Sequence, residues 1–328
     1  MAAMWLWAAG CDSENVKEQE NEVYDPLLQL KADGDLIGSL RPFDLVVNPA
    51  YTPVHELYYM QDDEQLFISK ACGTLLVYPH RNMFVEVVNE EAHGVYMAVT
   101  YCPITRSGIG VNRVLDSDTL LLTASGYLFR ENMVPLDINS GSLWSQMQLK
   151  GLKGGHESRT FSTLPMIETT WKTVRENFPS AGVFIADGYL KSSGLTGRTE
   201  DFIGSFGQDY GILSGKKGVE FAVELFSMEM FPGEITLETT TVRPGGSVVV
   251  AGSTTFQYIT SFLTTYRMEP VEGQFPVIMK DETGTFWNIF GEAVSGERGG
   301  ETLSSPLAYT AADWAWMDLF DEVEYHGD

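Results

Sequence analysis

The chain carries only three cysteines, at positions 11, 72 and 102. Cys102 closes the apolar run Val95–Tyr101 and is followed by Pro103. Strand ends are where side chains emerge into sites, and a thiolate there ligates a soft metal or acts as a nucleophile. A thiolate is populated at neutral pH only beside a cation or a metal, and Arg106 is the nearest cation in sequence. The carboxylate and imidazoles closest in sequence are Glu86, His80 and His93. Cys102 and Glu86 are thus the candidate catalytic pair, and Cys102, Glu86 and His80 are the candidate ligands of a metal ion. The competing reading is an inert, buried thiol.

No other constellation competes with this one. The five histidines show no metal spacing: His55-Glu56 and His156-Glu157 lack a second histidine four positions on. There is no CxxC pair, no GxSxG elbow and no phosphate-binding P-loop. The glycines of Gly151–Gly155 do not open a helix, so they read as a tight reversal rather than a phosphate cradle. Asp62–Glu64 and Asp116–Asp118 lack a full oxygen-ligand loop for calcium and read as solvated turns.

Met1–Gly10 reads MAAMWLWAAG and runs into Cys11. A short apolar segment ending in small residues before a cysteine is the pattern of a lipoprotein signal, with Cys11 as the lipidated residue. No Lys or Arg precedes the apolar run, and the run is short; a start codon assigned too late accounts for both. Residues 12–35 are acidic and polar, as expected of a flexible tether. The expected setting is extracytoplasmic, on the bacterial envelope, with contact to the membrane only through the lipid. Cys72 and Cys102 would then share an oxidising compartment, and the sequence does not show whether they pair.

With 328 residues, 44% of them hydrophobic, the chain can bury a substantial core. Its formal charge of −24 repels nucleic acid and anionic lipid surfaces, which excludes both as direct partners. Beyond the anchor, the sequence specifies neither a small ligand nor an envelope protein partner.

The elements that position the chemistry recur. SGSLW at Ser140–Trp144 returns as TGTFW at Thr283–Trp287. Trp144 to Trp171 spans 27 residues, and so does Trp287 to Trp314. Each interval holds a glycine-rich loop, so these four tryptophans read as the structural signature of a repeat, filling its core. Short apolar strands are expected at 66–68, 74–78, 95–101, 133–136, 247–251 and 256–266. His80–Glu90 places Met83, Val87, Phe84 and Val88 on one helical face, with Glu86 on the other. Thr169 and Thr170 can cap a helix over Trp171–Asn177, and Thr310 or Asp313 one that carries Trp314. The expected fold is α+β and strand-rich: two tandem related units with short helices, packed into one pseudo-symmetric body. The units are 36–185 and 218–322, joined by a Gly/Ser-rich connector at 186–217, with 1–11 as signal and 323–328 as tail.

Five segments carry a family resemblance: DDEQLFISK, YPHRNMFVEVVNE, VTYCPITRSGIGVNR, SGYLFRENMVPLDINSGSLWSQM and ETTWKTVRENFP. Together they resemble the domain-of-unknown-function 3179 family, well over about 40–180 and more loosely over 210–320. The resemblance implies an extracytoplasmic protein, commonly a lipoprotein, and brings no activity with it. Two departures stand out. Val85 occupies the position of a family histidine, and Thr105-Arg106-Ser107 replaces the usual Thr-Gly after Cys-Pro-Leu. Two functions follow: a non-catalytic binding or envelope-maintenance lipoprotein, or a metal- or thiol-dependent protein centred on Cys102.

Overall fold

The computed structural model describes residues 31, 34–186, 207–216, 219–242 and 246–327. The signal and lipidation site expected at 1–11, most of the tether and most of the connector lie outside these residues. Among the described residues, no helix is long and apolar enough to cross a membrane.

The body is essentially all-β rather than α+β, with 49% of residues in strands and 10% in helix. The helical pattern at His80–Glu90 is where the expectation fails. A 3-10 turn, His80–Val85, stops at Glu86, whose backbone is left-handed (φ 60°). The chain then enters the strand Val87–Ala92. Val85, Val87 and Val88 are β-branched, and their preference for extended backbone overrides an apolar spacing that also fits a helix.

Two sheets hold the longest-range pairings. One orders Ile167–Thr170, Gln65–Ser69, Leu76–Pro79, Gly182–Phe184 and Tyr51–Pro53. The other begins Glu322–Tyr325, Val219–Ser227, Gln208–Lys216, Ala308–Ala312, and continues into Ser107–Asn112, Val95–Cys102 and Val87–Ala92. In each, a strand leads into a seven-residue helix, Trp171–Asn177 or Asp313–Leu319. In each, the strand after the helix pairs parallel with an earlier strand of the same sheet, Gly182–Phe184 with Leu76–Pro79 and Glu322–Tyr325 with Val219–Ser227. The likeness is local, in strand order and register. The sheets have five and seven strands, and the expected pseudo-symmetry of the body is not shown. Gln208–Lys216, expected as the end of the connector, is a nine-residue strand.

The repeat signature is structural. Asp137 and Asp281 each accept backbone N–H groups from the small-residue turn that follows, Ser140 at 3.0 Å and Thr283 at 2.9 Å. Gly154 (φ 98°) and Gly296 (φ 99°) then press on Ser142 and Thr285, where a Cβ would lie within 2.7 and 2.5 Å of backbone. Trp144, Trp171 and Trp287 are fully buried, as expected of core residues. Trp314 is a correction: it is only partly buried, and Trp316 fills the core instead, stacked on Tyr309. The second helix begins at Asp313, so Trp314 is one position further into its helix than Trp171. Its N-cap is Ala312, which leaves Thr310 in the strand; neither helix has a side-chain cap hydrogen bond.

The cores cross between halves. One apolar cluster joins Cys102, Trp144 and Met147 to Trp316 and Leu319, and another joins Trp171 and Val174 to Tyr258, Phe262 and Trp287. Neither half buries its helix on its own.

Candidate functional site

Cys102 does not emerge at its strand end. It is 1% exposed, and its Sγ accepts the Met133 N–H at 3.4 Å. Burial pushes the thiol pKa up, and the nearby Glu86 carboxyl adds to the shift. This is the inert thiol of the alternative reading. Cys72 is also buried and free, so the two are not bridged.

The polar groups around Cys102 are spent on one another. Asn132 donates to Gln146 Oε1 at 2.7 Å and to Thr105 Oγ1 at 3.0 Å. Ser107 Oγ donates to Gln146 Oε1 at 2.7 Å, and Gln146 Nε2 donates to Thr100 Oγ1 at 2.9 Å. All five side chains are buried. A satisfied buried network specifies packing. Here it ties Thr100 of the TYCP segment to Gln146 of the SLWSQ segment.

Glu86 and His80 do come together. Both line a cavity of about 490 Å³ whose wall also includes Phe43, Glu64, Arg81, Phe84, Tyr101 and Arg106. The strand Val95–Cys102 supplies Tyr101, and its N–H donates to the Glu86 carbonyl at 2.8 Å. Glu86 and Arg106 both have left-handed backbones, at φ 60° and 51°. Such conformations are uncommon for residues other than glycine and concentrate at functional sites. The Glu86 carboxyl has no hydrogen bond or ion pair among the described residues, and burial alone raises its pKa to about 7.

His80 is clamped between Phe67 and Tyr101, with ring centroids 4.3 and 4.6 Å away. Burial, assisted by Arg106, presses its pKa down to about 3, so it is neutral. Its Nε2 lies 3.4 Å from Oε1 of Glu168, whose own pKa burial raises to about 7 while Arg106 and hydrogen bonds from Gln208 and Thr310 pull it down. Arg81 Nε pairs with Glu64 at 2.7 Å.

Sequence reasoning missed Glu168, Glu64, Arg81, Phe84 and Tyr101 as site residues. Glu168 reaches the site because Ile167–Thr170 pairs with Gln65–Ser69, setting it opposite Phe67. The one signal was a lone carboxylate in the otherwise apolar and threonine-rich strand. Among the described residues, no group of three or more His, Cys, Asp or Glu side chains is arranged to hold a metal ion. Cys102, Glu86 and His80 therefore do not form the three-ligand centre considered for them.

The family model described as "Protein of unknown function (DUF3179)" matches residues 44–204, which contain every residue of this cavity except Phe43. No curated protein and no solved structure matches the chain.

Proposed function

We propose that this chain, which belongs to the domain-of-unknown-function 3179 family, is a non-catalytic binding protein that takes a small molecule into the cavity beside Glu86. The observation that carries the reading is a carboxyl left without a partner on the wall of a cavity large enough for a small molecule. Glu86 is half-buried, so its carboxyl is less well solvated than one at the open surface, and a ligand that pairs with it gains more there. The half-exposed Phe84 at the same wall adds apolar surface for a ligand to cover.

The setting belongs to the same proposal. Cys11 carries the lipid, and the acidic segment that follows holds the body away from the bilayer, at the extracytoplasmic face of the envelope. Membrane fractionation tests this half: the wild-type chain sediments with membranes and Cys11→Ser does not.

For the binding half, the body is screened against small molecules by thermal denaturation. A ligand present at about a hundred times its Kd stabilises by about 2.7 kcal/mol, and Glu86→Lys should abolish that gain while leaving the unliganded fold intact. Stabilisation that survives Glu86→Lys places binding elsewhere. Turnover of any stabilising compound sinks the non-catalytic reading.

A further inference from the structure

We infer that the ligand of the Glu86 cavity is a small organic monocation, an ammonium group on an apolar body. The inference rests on the binding reading above and adds the charge of what is bound.

The charges facing Glu86 are matched among themselves. Arg81 is held by Glu64 at 2.7 Å. Arg106 and Glu168 attract one another, and His80 is neutral. Cys102, behind the wall, stays a thiol. What remains is Glu86, whose carboxyl has no partner among the described residues. A cation in the cavity completes the charge balance. An anion would face Glu86 with its opposing cations already engaged, and a neutral molecule would leave the carboxyl without a counter-charge.

The apolar part of the wall points the same way. Phe43 is 39% exposed and Phe84 50%, and Tyr101 lies on the wall with them. Aromatic faces attract cations, Phe less than Trp, and the attraction grows as water is excluded. A carboxylate with aromatic rings around it recognises an amine by both terms at once.

The cation must meet an ionised Glu86. Below about pH 7 the carboxyl holds a proton that binding has to displace. Affinity therefore rises about tenfold per pH unit from about pH 5 to about pH 7 and then levels off.

The test is a calorimetric titration of the folded chain with three matched probes: phenethylammonium, phenethyl alcohol and phenylacetate. The expected result is saturable binding of the ammonium alone, with that pH dependence and with proton release at the acid end. Glu86→Gln should weaken it at least tenfold and remove the pH dependence. Phe84→Ala should weaken it about three- to tenfold and keep the pH dependence, which also shows that the site is folded. Phenylacetate or the alcohol binding as tightly as the ammonium overturns the charge assignment and leaves the cavity a binding site. Ammonium binding that keeps its pH dependence in Glu86→Gln overturns the assignment to this carboxyl. Binding by none of the three removes the cavity reading along with it.

Discussion

Two turns of this protein share a frame and differ in what fills it. The strands Val95–Cys102 and Ser107–Asn112 close their turn with the pair Cys102–Ser107. The strands Gly246–Ser253 and Tyr258–Leu263 close theirs with Ser253–Tyr258. In both, the residue before the closing pair is left-handed, Arg106 at φ 51° and Gln257 at φ 52°. Strand register then matches positions around them. Glu168 sits opposite Phe67, and Thr310 opposite Tyr210. Phe67 faces Tyr78 and Tyr210 faces Phe226, which makes Met228 the counterpart of His80.

So the first turn is ringed by Arg106, Glu168 and His80, and the second by Gln257, Thr310 and Met228. The residues that end the adjoining 3-10 turns differ most. Phe231 is fully buried against Gly252, the counterpart of Tyr101, with its ring where a Cβ would otherwise lie. Glu86 instead faces a cavity. In one copy a ring takes up the space, leaving only about 140 Å³ beside Met228, Gln257 and Thr310, and in the other a carboxyl faces about 490 Å³. Filled space is what stability favours, so the copy with the larger cavity is the one to examine for function.

The largest effect should come from emptying the filled copy. Phe231→Ala removes a fully buried ring and should cost about 3–5 kcal/mol, read as a lower denaturant midpoint at unchanged slope. A cost near zero would mean that the ring is not what fills that turn.

The copy with the larger cavity should instead reveal itself through pH. Glu86 binds its proton more tightly folded than unfolded, with its pKa raised from 4.5 to about 7. Its contribution is therefore full below about pH 4.5 and is lost as pH rises through about 7. His80 runs the other way: its pKa falls from 6.5 to about 3, so stability is full above 6.5 and is lost as pH falls. Between about pH 5 and pH 7.5, wild type should lose on the order of 2 kcal/mol relative to Glu86→Gln and should gain relative to His80→Gln. Urea midpoints across that range would contradict the comparison if both variants tilted the curve in one direction.

Smaller still is Cys102→Ala. Its thiol is buried and inert, so the substitution should cost about 1–2 kcal/mol by loss of packing and leave probe binding unchanged. Loss of binding would reinstate the thiol as part of the site. Phe84→Ala should be the mildest, below about 1 kcal/mol in thermal unfolding, because its ring is already half in water.

Strands and core were legible where local preference and burial agree. Val95–Cys102 is apolar and β-branched along its length, and the Trp171–Asn177 helix lies between two threonines and Pro179, as read. The site was legible only as single residues. Glu86 and His80 were singled out, but a helical reading of their segment set Glu86 on the face opposite the apolar one. Glu168 joins them from 82 positions further along the chain, through strand pairing that no local pattern announces. Cys102 misled because a strand end is exposed only when nothing packs beyond it, and here the Glu131–Met133 backbone does. The four-tryptophan pattern identified the core correctly at three positions and missed Trp316, which the same short helix presents two residues later.

The strand Glu322–Tyr325 lies parallel to Ala222–Leu225, a partner about a hundred residues earlier. The sheet it completes also contains the strand that carries Tyr101. Pairings so distant along the chain are paid for in loop entropy before any contact is made, and chains built on them fold in milliseconds to seconds rather than microseconds. The nascent protein therefore spends its vulnerable time with Val219–Ser227 as an uncovered strand edge, and it is this edge, not the cavity, that a chaperone would have to shield.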